Sequence, residues 1–166
     1  MGEPGPEPLA LLPGDFADGE IALWLAADRR PDAHPDMRGF AGVAFRVQPD
    51  ARAFELLFVR PTNARADDQL RRNHTTQYHS EPDWPWSRLR AESPGVYESY
   101  ADLEPGAWTR VRILVRGSRA ELFLHDAAQP ALIVKDLKLG ASRGRVGLWV
   151  GAGTTAYFSD VAFTPA

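Results

Sequence analysis

Along most of this chain hydrophobic residues recur at every second position, the period of a β-strand whose two faces meet different surroundings. Residues 108–116 are the cleanest case: Thr109, Val111, Ile113 and Val115 alternate with Arg110, Arg112 and Arg116. In 39–48, Ala41, Val43, Phe45 and Val47 share one face and Gly42, Ala44, Arg46 and Gln48 the other. In 144–150, Val146, Leu148 and Val150 oppose Gly147 and Trp149. Residues 53–60 are almost continuously apolar, which predicts a central strand covered on both sides. Further strands are expected over 20–27, 96–102, 120–125, 131–136 and 156–163. Gly117-Ser118 between Arg116 and Arg119 predicts a tight hairpin, since glycine supplies the positive φ such turns need. Helix is scarce; the best candidate is a turn or two over 66–72, with Asp67 and Asp68 near its N-terminus. Strands and turns at this spacing predict an all-β sandwich of one domain over 14–166.

One stretch breaks the alternation. Arg60 to His79 is polar throughout and reads as a long connection. Compact domains seldom keep a connection of this length without a use for it. It is dense in Asn, Gln, Arg, Asp and His, and Trp84, Trp86, Tyr97 and Tyr100 follow closely. Planar polar groups beside flat rings form the chemistry that recognises sugars, whose hydroxyls donate and accept while their C–H faces stack.

Composition narrows the function classes. A formal net charge of -3 gives no reason to expect nucleic acid or an anionic membrane as partner. No apolar run approaches the ~18 residues of a membrane-spanning helix. The absence of Cys excludes disulfides, thiolate nucleophiles and Cys-ligated zinc. Seventeen of the nineteen basic residues are Arg, the better fork for carboxylates and the better partner for rings, although a GC-rich genome would give the same bias. Residues 1–13, rich in Pro, Gly and Glu, read as a flexible arm without the basic and apolar regions of a secretory signal. The default expectation is therefore a cytoplasmic protein, or an extracytoplasmic one if a signal has been removed.

Several strings together resemble the concanavalin A-like lectin/glucanase superfamily, in particular an uncharacterised bacterial branch near laminin-G-like and 3-keto-disaccharide hydrolase domains. They are Gly42-Val-Ala-Phe-Arg46, Phe54-Glu-Leu-Leu-Phe-Val-Arg-Pro61, Asn73-His-Thr-Thr-Gln-Tyr78, Pro105-Gly-Ala-Trp108, Gly144-Arg-Val-Gly-Leu-Trp149 and Tyr157-Phe-Ser159. The likeness spans roughly residues 14–164. It implies a jelly-roll sandwich of two curved antiparallel sheets, with ligands on the concave face or in the loops at its rim. Members bind glycans, hydrolyse them or bind proteins, so the fold alone does not fix the activity.

The candidate ligand-binding set is Arg46, Arg60, Asn63, Asp68, Asn73 and Gln77 as hydrogen-bonding groups, with Tyr78 and Trp86 as stacking groups. The favoured reading is non-catalytic recognition of a glycan or polyol. The first alternative is a glycoside hydrolase of the 3-keto-disaccharide type, in which Glu55, Asp68 or His79 would do the acid–base chemistry. The Glu-x-Asp-x-x-Glu string of the superfamily's retaining glucanases is missing. Glu98 and Asp102 would lie ~13 Å apart on an extended strand, too far for either glycosidase geometry. The second alternative is a laminin-G-like protein-interaction module. No cofactor is expected. His74 and His79 lack the helical spacing of a transition-metal pair. If the protein takes a metal, it is calcium, on Asp32-Ala-His-Pro-Asp36 or Asp67-Asp68, where hard oxygen ligands cluster.

Overall fold

In a computed structural model that describes residues 8–166, β-strands dominate. In chain order they are β1 (Leu9–Leu11), β2 (Gly19–Arg29), β3 (Ala41–Val47), β4 (Phe54–Val59), β5 (Thr76–Glu81), β6 (Glu98–Ser99), β7 (Thr109–Arg116), β8 (Arg119–Leu124), β9 (Leu132–Val134), β10 (Arg145–Val150) and β11 (Thr154–Pro165). Two short α-helices, α1 (Gln69–Arg72) and α2 (Trp86–Glu92), and one 3-10 turn, Pro61–Asn63, join them. The strands form a six-stranded sheet, β1-β10-β3-β4-β5-β6, and a five-stranded sheet, β11-β2-β7-β8-β9, antiparallel throughout. This is the concanavalin A-like jelly-roll sandwich.

The inter-sheet core follows from the alternation. Val43, Phe45, Leu57, Val59, Tyr78 and Val146 from one sheet meet Ile21, Leu23, Leu25, Val111, Ile113, Val115, Leu122 and Leu124 from the other. Burying each such aliphatic side chain contributes about 1.5–3 kcal/mol, which is what holds two separate sheets together. β4 is buried on both faces, as its continuous apolar run predicts. Its second face carries Phe54, Leu56 and Phe58, which join Ala44 and Trp149 in an apolar cluster on the outer side of the six-stranded sheet. Phe54 and Phe58 therefore lie outside the inter-sheet core. Phe123 also faces outward, on the other sheet, under the Arg112 guanidinium at 4.1 Å.

Three segments depart from the sequence expectation. Residues 76–81 are no loop: they form β5, bonded between β4 and β6. Thr75, Thr76, Gln77, Tyr78 and Ser80 are buried there, so a string that is polar by composition is a central strand by position. Trp86–Glu92 forms a helix, started by the extended Pro85 and burying Leu89. Within the expected arm 1–13, Leu9–Leu11 pairs with β10, and Leu9 and Leu11 pack on Gly147 and the outer cluster. Residues 1–7 lie outside the described residues.

Candidate functional site

The candidate site grows from the end of β4. Phe58 and Arg60 lie two residues apart, hence on one face of an extended chain. Arg60 folds over the outer side of the six-stranded sheet, its guanidinium carbon 4.8 Å from the ring centre of Phe58 and 5.9 Å from that of Phe40. Phe58 leans on Trp149 at 4.9 Å and meets His79 edge-on. A third ring, Trp86, stands 5.6 Å from the same guanidinium. Arg90, one helical turn beyond Trp86, stacks on that indole at 4.7 Å and forks onto the Glu98 carboxylate at 2.8 and 2.9 Å. Phe40, Arg60, Trp86 and Arg90 thus alternate ring and cation, the arrangement in which each guanidinium meets the negative face of a π-system.

Hydrogen bonds fix this row. Arg60 Nη1 donates to the His74 carbonyl oxygen (3.0 Å) and to Gln77 Oε1 (3.2 Å). Its Nε and Nη2 find no acceptor among the described residues. The backbone N–H of Trp86 donates to His79 Nδ1 (3.1 Å), which leaves Nε2 to carry the ring hydrogen and donate to Glu81 at 2.6 Å. His79 therefore anchors the first turn of α2, and with it Trp86. Arg60 is only 4% exposed, while Trp86 is 40% exposed. Burial, with the Arg90 cation nearby, lowers the Arg60 pKa to about 9, against the pull of Glu98; it is still a cation at neutral pH. Burial likewise pushes the His74 imidazole down, although Glu98 Oε1 lies 3.4 Å from its Nε2.

Of the residues singled out from sequence, Arg60, Gln77 and Trp86 converge here. The others do not. Arg46 is completely buried and bonded inward: Nε to the Ala17 carbonyl (2.9 Å), Nη1 to Gly140 (2.5 Å), Nη2 to Gly117 (2.7 Å) and to Asp18 Oδ1 (3.0 Å). The alternation placed it on the Gly42 and Ala44 face, but Arg46 takes φ 53°, and the β3–β10 register shifts opposite it. A bulge of this kind breaks the two-residue period and turns the side chain between the sheets. Tyr78 belongs to the inter-sheet core, where its hydroxyl donates to Glu55 and accepts from the Lys138 N–H at 2.8 Å. It offers no face for stacking.

Asn63 is buried in the connection, donating to the His74 carbonyl (3.2 Å) and accepting from Arg71 Nε (2.9 Å). Asp68 caps α1 by accepting from the Arg71 N–H at 3.0 Å, and the exposed Asn73 accepts from Gln69 at 2.8 Å. The three groups a hydrolase would need are likewise dispersed. Glu55 faces the interior, where it accepts from Tyr78 and from the Leu139 N–H, and burial pushes its carboxyl pKa up. His79 lies on the opposite side of the same sheet, and Asp68 sits at the exposed cap. Asp32, one of the calcium candidates, is forked by Arg30 at 2.8 and 3.0 Å. Among the described residues no three His, Asp or Glu side chains gather as metal ligands.

Sequence reasoning missed Phe40, Phe58 and Arg90 as members of this site. Two signals would have found the last two: the shared parity of Phe58 and Arg60, and the i, i+4 spacing of Trp86 and Arg90 after a proline. Two shallow hollows of about 350 and 370 Å³ lie elsewhere, around Leu114 and Arg116 on the five-stranded sheet, and bring together no such set of rings and donors.

No protein-family model matches this sequence, and no curated protein is significantly similar to it. Solved structures with the same fold do exist. The carbohydrate-binding module CBM66 from Bacillus subtilis superposes with a TM-score of 0.64 at 16% identity, covering 92% of this chain and 78% of that one. A Bacillus subtilis protein of unknown function with a galectin-like fold gives 0.59 at 15% identity, over 92% and 74%. CG-16, a homodimeric agglutinin from chicken liver, gives 0.54 at 12% identity, over 94% and 98%. At these identities the likeness is one of fold.

Proposed function

We propose that this protein recognises a carbohydrate, without transforming it, on the outer side of the six-stranded sheet at the Trp86–Arg60 end. The observation that carries this reading is an indole that stays 40% exposed while two guanidinium groups stand against it, one of them with N–H groups left unanswered among the described residues. A pyranose or furanose offers a C–H face to such a ring and hydroxyl oxygens to such donors. Because Arg60 is pinned by His74 and Gln77, and the Trp86 indole stands against Arg60 and Arg90 on a backbone anchored by His79, neither group loses much freedom on binding. The fold shared with a carbohydrate-binding module and an agglutinin supports the same reading.

The test is a glycan array followed by titration calorimetry on the best ligand, with Trp86→Ala and Arg60→Lys beside the wild type. Loss of the stacking face is expected to weaken binding roughly tenfold, about 1.4 kcal/mol. Arg60→Lys, which keeps charge but not the planar fork, should weaken it as well. Circular dichroism melts establish that both variants are folded. A glycan that binds Trp86→Ala as tightly as wild type, or an array without a hit, would refute the assignment.

A further inference from the structure

The arginines of this protein are distributed unevenly between paired and unpaired. Arg30, Arg46, Arg65, Arg88, Arg90, Arg110, Arg112, Arg119 and Arg143 each have a carboxylate within 4.0 Å. The other eight have none among the described residues, and four of these, Arg29, Arg38, Arg60 and Arg71, lie together. Their shared bonding partners show it. Arg60 and Asn63 donate to the same His74 carbonyl, at 3.0 and 3.2 Å. Arg71 donates to that same Asn63 (2.9 Å) and to the Thr62 carbonyl (3.3 Å). Thr62 in turn donates through its hydroxyl to the Arg38 carbonyl at 3.0 Å. Arg38 and Arg29 both donate to the Pro35 carbonyl, each at 3.1 Å. Four guanidinium groups are thus held by neutral acceptors where acids would normally stand.

The nearby carboxylates do not relieve them. Glu98 is forked by Arg90, Asp68 is spent on the cap of α1, and Asp36 lies beyond ion-pair distance of Arg38. The like charges are felt: burial and then Arg71 lower the Arg38 pKa, against Asp36, and Arg29 adds to the effect. A chain with a formal charge of -3 has acids to spare, so a local excess of cations beside an exposed indole is a property of this place rather than of the composition.

We propose that the ligand is an acidic saccharide, whose oxyanion – a uronate carboxylate or a sulfate ester – is received by Arg38 and Arg71 with Arg60 while a sugar ring lies on Trp86. This deepens the carbohydrate reading above and rests on it. A planar guanidinium fork matches both oxyanions, and an incoming anion supplies the charge the protein withholds.

The experiment titrates the full chain with oligogalacturonate, with a heparin-derived oligosaccharide, and with the methyl-esterified and desulfated counterparts. Each is measured near 0.01 M and near 0.15 M salt, where the screening length falls from about 30 to about 8 Å. At least one acidic sugar is expected to bind roughly tenfold or more tightly than its neutral counterpart and to weaken at the higher salt, and which one does so identifies the oxyanion. Arg38→Gln and Arg71→Gln are each expected to weaken that sugar roughly five- to tenfold. Arg116→Gln, also without a carboxylate partner but on the other sheet, should leave it unchanged. Equal binding of charged and neutral sugars, with the Trp86→Ala defect intact, overturns the acidic ligand and leaves the carbohydrate reading standing. Polyglutamate binding as tightly as the acidic sugars also overturns it, since the site would then read charge alone. If no sugar of either kind binds, both assignments fall together.

Discussion

Replacing Arg46 by Met should cost stability and spare ligand binding, the reverse of what its place in the sequence pattern suggests. Its guanidinium lies between the sheets and satisfies three backbone carbonyls, of Ala17, Gly117 and Gly140, and one oxygen of Asp18. Met keeps the length of the stem but has no donor. A buried acceptor left without a partner costs about 1–3 kcal/mol, so three carbonyls set an upper bound of about 9 kcal/mol. The real cost is smaller. Carbonyl oxygens can recruit other partners, and Asp18, roughly half exposed, keeps its bond from the Gly117 N–H at 2.9 Å. The left-handed backbone at this position strains Arg and Met alike and cancels from the difference. With Asp18 half in solvent the ion pair itself adds little, and about half of that bound, about 4 kcal/mol, is the expected loss here. For a chain of this size that lowers the melting temperature by roughly 8–16 °C. Urea unfolding followed by the fluorescence of the five tryptophans measures it as a shift of midpoint at unchanged slope. A loss below about 1 kcal/mol, with the slope unchanged, would refute the argument that this clamp joins the sheets. Loss of glycan binding in a variant of full stability would return Arg46 to the ligand site.

Two further outcomes follow from the same physics. The Glu55 carboxyl is raised by burial above its ordinary value of 4.5, so the folded state holds this proton more tightly than the unfolded chain does. Its contribution is therefore most favourable below the unfolded pKa and is lost as pH rises through the folded one. Glu55→Gln, which cannot ionise, should flatten that decline in urea midpoints measured upward from about pH 4.5; an unchanged slope would contradict the assignment. Asp68→Ala should remove the cap of α1 at a cost of about 1 kcal/mol by thermal melt and leave glycan affinity alone; a fall in affinity would restore Asp68 as a ligand group.

The alternation of apolar and polar residues determined the fold class and most of the strands, because a sheet buried on one face demands a two-residue period. β7, with Val111, Ile113 and Val115 inward, is where that demand is clearest. The period could not reveal where it is interrupted. The bulge at Arg46 depends on the register with β10, and turns an apparent surface cation into an internal tie. Nor could composition identify β5, whose polar side chains are tolerated in a central strand only because particular partners answer them: Gln77 meets Arg60 and the Tyr97 carbonyl, and Tyr78 meets Glu55. Residues 60–86 carry the planar polar groups and rings in the sequence itself, so a candidate region for recognition was legible there. Which of them face solvent was decided by tertiary structure, since a hydrogen-bonding side chain is equally suited to a ligand and to a buried backbone group, and only its neighbours settle which one it meets.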